Sequence, residues 1–278
     1  MRLVRSALLA FLLAALTAGL ALVGLSPAQA AAGPYTALGD SYSSGVGTRT
    51  YYPDSGSCYR SPRAYPVLVA QRLGAPLTFA ACSGARVPDV LNQLGSLNAS
   101  TEYVTVSVGG NDAGFADVIT QCALPWPWTC TADIDNANNY IRNTLPGALD
   151  NLYTRIRDRA PNARVAVVGY PRLFNGEACN ALARISRAEQ TALNQTADLL
   201  ATTIAGRAAA HGFGFVDVRG AFTGHAVCDD AEWINGLSNP IMESYHPKAV
   251  GQSSGYAPAV QSRLSSLTVD RQAPPRSV

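Results

Sequence analysis

The chain has 278 residues, 47% of them hydrophobic and 14% charged, with a formal net charge of +2. Arg2 and Arg5 lie in an N-terminal stretch without Asp or Glu, so the remainder carries 19 basic and 19 acidic residues. That balance, with no basic stripe interleaved with aromatics, argues against a nucleic-acid partner.

In chain order, residues 1–30 read as a secretory signal peptide: Arg2 and Arg5, an apolar stretch over 7–25, then Ala28-Gln29-Ala30 as a small-residue cleavage site. The stretch is long enough to span a bilayer. The Ala-x-Ala site follows it at once, however, and no other segment is apolar enough for a membrane helix, so we expect cleavage near Ala30 and a secreted protein. What remains suits one α/β domain over 31–270, with a flexible C-terminal tail over 271–278 that holds two prolines and little apolar content. We expect it to be a monomer. The 6 cysteines all lie beyond the signal, and in an exported chain an even count points to disulfides. Neighbours paired in order give Cys58–Cys82, Cys122–Cys130 and Cys179–Cys228. No Cys-x-x-Cys or His-x-x-x-His spacing suggests a zinc site, and neither metal nor cofactor is expected.

Strand-like runs at 35–38, 77–80, 104–108, 164–168 and 215–218 alternate with helical segments, the pattern of a parallel sheet covered on both faces. Helical spacing of apolar residues predicts helices over 184–210 and 133–160, the second interrupted at Pro146. A last helix over 251–264 would start at Pro247. The expected fold is a three-layer α/β/α sandwich with a flavodoxin-like parallel sheet.

The residues that suggest chemistry fall at the ends of these runs. Gly39-Asp40-Ser41-Tyr42-Ser43-Ser44-Gly45 sets a serine on a turn directly after the first strand, where open α/β sheets bind ligands. Cys82-Ser83-Gly84-Ala85 is a small-residue turn whose N–H can approach a ligand. Gly109-Gly110-Asn111-Asp112 places an amide after the third strand. Tyr245-His246-Pro247-Lys248 supplies the one plausible base among 3 histidines. His211 and His225 read as bystanders. Asp40 and Asp112 read as turn residues that accept nearby backbone N–H groups. Trp126 and Trp128, in the short loop between Cys122 and Cys130, read either as a substrate lip with transient lipid-interface contact or as a packed surface plug. Lys248 and Arg172 read as solvated charges rather than an anion site.

In order and residue type these four segments resemble the signature blocks of the SGNH (GDSL) hydrolase superfamily, and the likeness spans residues 35 to about 264. It implies a Ser41 nucleophile, an oxyanion hole from the Ser41 and Gly84 N–H groups and the Asn111 amide, and His246 as base. Chains with three disulfides and a histidine near the C-terminus are most similar to secreted bacterial lipases, esterases and phospholipases A. The implied activity is hydrolysis of lipid or simple acyl esters through an acyl-enzyme, with activity rising through about pH 6 to 7.5 as the imidazole loses its proton. The alternatives are a polysaccharide acetyl esterase with the same machinery and a catalytically inactive binding domain. Family members commonly carry Asp three residues before the histidine, where this chain has Glu243. The other orienting group implied by the resemblance is the backbone carbonyl of Ser244, which we favour because the glutamate's extra methylene displaces its carboxylate.

Overall fold

The computed structural model of the chain describes residues 32–124, 127–179 and 185–267. The signal segment, the C-terminal tail, Trp126 and Arg184 lie outside the described residues.

Five strands, β1 (Tyr35–Gly39), β2 (Leu77–Phe79), β3 (Tyr103–Ser107), β4 (Arg164–Val168) and β5 (Gly214–Val216), form one sheet in the order β2-β1-β3-β4-β5. Every pairing is parallel, with Tyr35 opposite both Leu77 and Tyr103, and Ala166 opposite Gly214. The chain steps outward from β1 to β2 and then returns past β1 to β3. The strand order therefore reverses between β1 and β3, where a crevice opens at the carboxyl ends of the strands.

Period-two alternation divides the core into two faces. Tyr35 and Ala37 of β1, Tyr103 of β3, and Ala166 and Val168 of β4 pack against Tyr65 and Val69 of α2 (Tyr65–Leu73) and Val260 and Leu264 of α8 (Ala257–Ser266). The alternate residues Leu38, Val104, Val106, Val165 and Val167 meet the opposite layer. That layer draws on Val90 of α3 (Val87–Gln93), Leu149 and Ile156 of α6 (Leu145–Arg159), and Ile204 of α7 (Arg187–Ala210). Burial on both faces explains why the central strands read as apolar runs rather than as alternating ones. The short helix α1 (Ser41–Ser44) follows β1, while α4 (Phe115–Cys122) and α5 (Thr131–Asn143) fill the return from β3.

Local chemistry accounts for where the helices differ from expectation. The predicted 133–160 helix is two, α5 and α6, because Pro146 sits in the first turn of α6, where its missing N–H costs nothing. α7 begins at Arg187 because Ser186 caps it, with the Ser186 side chain accepting from Glu189 N–H and the Glu189 side chain accepting from Ser186 N–H. Pro247 does not start the last helix. It pairs with Ile234 in an isolated antiparallel bridge, and Gly251–Tyr256 wind as a π-helical turn ahead of α8, whose first turn holds Pro258. A proline there has no N–H for the usual helical ladder. Disulfides join Cys58 to Cys82, Cys122 to Cys130 and Cys179 to Cys228.

Candidate active site

Ser41 is the first residue of α1, immediately after the Asp40 cap, so its N–H has no partner four residues back. Asp40 Oδ1 accepts from Tyr42 N–H at 3.0 Å. Together these place the Ser41 hydroxyl at the β1/β3 reversal. His246 comes to it from the far end of the chain: its Nε2 lies 2.8 Å from Ser41 Oγ, and its Nδ1 lies 2.9 Å from the carbonyl oxygen of Ser244. A carbonyl oxygen only accepts, so the ring proton is assigned to Nδ1 and Nε2 is left to accept from the serine. Burial pushes His246 down to about 4, against the opposing pull of the Ser244 carbonyl. A neutral ring, able to take a proton, therefore persists below the pH 6 to 7.5 range expected from an unperturbed imidazole.

Glu243 is engaged elsewhere. It is buried, with Tyr51 Oη donating to Oε1 at 2.6 Å and Arg49 Nε 2.7 Å from Oε2. Both carboxylate oxygens are thus taken, and the group on the imidazole Nδ1 is the Ser244 carbonyl. The extra methylene of glutamate carries its carboxylate to these partners instead.

Gly84 and Asn111 stand on the same cavity wall as Ser41. Gly84 has φ +77, a conformation that L side chains rarely adopt, and an added Cβ would meet no protein atom. The backbone conformation, rather than space, is what requires glycine there. Asn111 Nδ2 donates one hydrogen to the Ala85 carbonyl at 3.1 Å, which fixes the amide and leaves its second hydrogen for a ligand.

Behind these groups lies a cavity of about 360 Å³, walled by Ile119 of α4, Leu173, Ala197 and Leu200 of α7, Leu237 and Met242. Ile241 also lines it and is 70% exposed, so the cavity opens to solvent there. The arrangement pairs a hydroxyl and a neutral base with polar donors on one side and an apolar hollow on the other.

The other residues singled out in the sequence are separate from this site. Arg172 pairs with Asp198 and Lys248 with Glu232. His211 bonds Asp150, and His225 stacks on Trp233 at 3.7 Å. Asp112 accepts from Val87 N–H at the start of α3, a partner 25 residues away rather than a neighbour in its own turn. Trp128 is 61% exposed and does not line the cavity. Among the described residues, Cys122, Cys130 and Glu189 come together as metal ligands would, but the two sulfurs are joined as a disulfide and offer no thiolate.

Residues 37–253 match the GDSL-like lipase/acylhydrolase family. The chain belongs to that family. It is 50% identical over 253 residues to Lipase 1 of Streptomyces coelicolor, covering 88% of this chain and 93% of the relative. A phospholipase A1 structure from Streptomyces albidoflavus superposes with a TM-score of 0.80 at 47% identity, covering 84% of this chain and 100% of the other. An extracellular lipase structure from Streptomyces rimosus gives 0.79 at 46% identity over the same shares. This acylhydrolase is thus an enzyme that acts on ester substrates, with the α/β fold of its relatives.

Sequence reasoning missed several residues that shape the acylhydrolase site. Asn235 is buried, and its Nδ2 donates to the Gly47 carbonyl at 2.9 Å and the His246 carbonyl at 3.0 Å. It clamps the histidine segment to the turn behind Ser41. Gly47 permits that approach, since an added Cβ would lie 2.8 Å from His246 Cβ. Tyr42 Oη donates to the Tyr245 carbonyl at 2.8 Å. Tyr245 itself has φ 60, uncommon for a non-glycine residue, and the tight turn around it carries the Ser244 carbonyl back to the imidazole. No motif marks the Asn235–Gly47 and Tyr42–Tyr245 contacts, because their partners lie 188 and 203 residues apart.

Proposed function

We propose that the chain is a secreted serine lipase or esterase, extending to phospholipase A activity, that works through an acyl-enzyme on Ser41 with a Ser41–His246 dyad. The observation that carries this reading is the 2.8 Å contact of Ser41 Oγ with His246 Nε2 at the wall of the apolar cavity. His246 Nε2 takes the hydroxyl proton as Oγ attacks the ester carbonyl, and then returns it to the leaving alcohol. The Ser41 and Gly84 N–H groups and the free hydrogen of Asn111 hold the oxyanion that develops on the carbonyl oxygen. The Ser244 carbonyl fixes the tautomer and accepts from the imidazolium while it exists. Water then repeats the cycle on the acyl-enzyme.

The cavity supports a lipid acyl chain over a polysaccharide acetate, because an acetyl group would leave most of it empty. Exposed Ile241 at its opening suits contact with a lipid surface. Export is supported by the signal-like N-terminus and the three disulfides. The test has two arms. Stoichiometric labelling of Ser41 by a fluorophosphonate separates an enzyme acting through this serine from an inactive binding domain. Rates on p-nitrophenyl esters of increasing length, phosphatidylcholine and acetylated xylan then assign the substrate. No labelling of the wild type, or preference for acetylated xylan, overturns the corresponding part.

A further inference from the structure

Asp40 is a buried carboxylate for which the acyl transfer described above has no use. It is 1% exposed, and the groups on its oxygens are all donors: Tyr42 N–H at 3.0 Å and Ser107 Oγ at 2.6 Å on Oδ1, with Tyr170 Oη at 2.5 Å on Oδ2. Asp40 follows β1, Ser107 ends β3 and Tyr170 lies just beyond β4, so one carboxylate ties three strand ends together at the reversal. The Tyr170 hydroxyl also accepts a long bond, 3.5 Å, from the N–H of Gly110, the residue before Asn111. Its ring meets the Tyr42 ring edge-on at 5.0 Å and lines the cavity.

We propose that Tyr170 is a positioning residue: acting through Asp40, its hydroxyl sets the Ser41 turn against the Asn111 arm of the oxyanion hole. This rests on the acyl-transfer reading of the site. The bonds from Tyr42 N–H, Ser107 and Tyr170 all favour an ionised Asp40, whose oxygens only accept. Protonation turns one hydroxyl from donor to acceptor, replaces charge-assisted bonds with neutral ones and so weakens the clamp. Burial pushes Asp40 up to about 6, opposed by the bonds from Ser107, Tyr170 and Tyr42, with the nearby Asp112 charge adding to the rise. The phenols around it, Tyr42, Tyr65, Tyr170 and Tyr256, are all pushed up by burial and stay neutral there. Burial also raises Asp112, which bonds Val87 rather than this cluster. Activity should thus fall as pH drops through about 6, while His246 is still neutral.

The test is Tyr170→Phe in the full-length secreted enzyme, assayed on p-nitrophenyl butyrate. We expect kcat to fall about tenfold or more with KM within about twofold, since misplacement acts on the transition state. The pH midpoint of kcat should move upward, because the ionised carboxylate has lost a donor. Asp40→Asn should abolish that inflection, and adding Tyr170→Phe to it should cost little more. A Tyr170→Phe variant with wild-type kcat and pH profile, or one whose loss is undiminished in the Asp40→Asn background, overturns the proposal. If Tyr170→Phe fails to fold, Ser107→Ala removes another donor to the same carboxylate, and an unchanged pH profile there overturns it equally. Fluorophosphonate labelling of the wild type keeps the outcomes apart, because failure of the serine reading abolishes labelling, whereas failure of this proposal leaves it intact.

Discussion

His246 Nδ1 lies 2.9 Å from the carbonyl oxygen of Ser244, two residues upstream, while the Glu243 carboxylate is occupied by Arg49 and Tyr51. A neutral acceptor thus stands where a triad places a carboxylate. Glu243→Ala should therefore lower kcat less than tenfold, against about 10⁴ for loss of a true triad acid. Its cost should appear in stability, since Tyr51 and Arg49 lose their shared partner. Kinetics and thermal unfolding of the same preparation check both, and a loss near the larger figure in a folded protein would return the role to Glu243.

Under the proposed acyl-transfer reading, Asn111→Ala should reduce kcat by roughly 10²–10³ with little change in KM, because the amide would bind charge that develops only in the transition state. The substitution also strips a donor from the Ala85 carbonyl, so folding should be verified by circular dichroism. An effect confined to KM would make Asn111 a ground-state contact.

The pH profile should separate two groups. With Asp40 replaced by Asn, the remaining acid limb of kcat/KM belongs to His246 and should lie near its lowered value of about 4. A limb persisting at about 6 to 7.5 would mean an unperturbed imidazole. The same groups act on stability with opposite sign. Lowering of His246 makes stability fall as pH drops from 6.5 towards about 4, where the unfolded chain binds the proton first. Elevation of Asp40 gives stability that is lost as pH rises from 3.8 through about 6.

The cavity predicts a chain-length series. Each methylene buried adds about 0.8 kcal/mol, so kcat/KM should rise about fourfold per carbon along p-nitrophenyl esters until the chain fills the space. Ala197 and Leu200, both buried on α7, form part of the wall. Ala197→Leu should move the plateau to shorter esters without lowering the rate on the acetate. A flat series from acetate upward would remove the acyl chain from this cavity.

Much of the fold was legible because its signals are local. The five runs are strands within a few residues of their expected bounds; the central β1, β3 and β4 are buried on both faces, which favours largely apolar sequence, while the edge strand β2 is partly exposed. Ser41, Gly84, Asn111 and His246 were legible as motifs because each sits on a turn whose sequence is itself constrained. The contacts that support them were not. Asn235 meets Gly47 across 188 residues, and Tyr170 meets Asp40 across 130. Nothing in the local sequence of either tyrosine or asparagine distinguishes it from an ordinary surface polar residue. Asp40 shows the limit well, because its cap on α1 was foreseeable and its bond to a distant phenol was not.

The Cys58–Cys82 disulfide joins the segment after α1 to the turn that carries Gly84, and Ser83 N–H donates to the Cys58 carbonyl beside it at 3.1 Å. The Gly84 part of the cavity wall is thereby tied covalently to the segment that follows Ser41. Should this bond be absent, as in a reducing cytoplasm, the sheet could still assemble from its apolar strands while the Gly84 wall drifted from the serine. A chain without this bond would then be folded yet idle, and the oxidation state of one pair of cysteines would decide whether an assembled fold is also a working one.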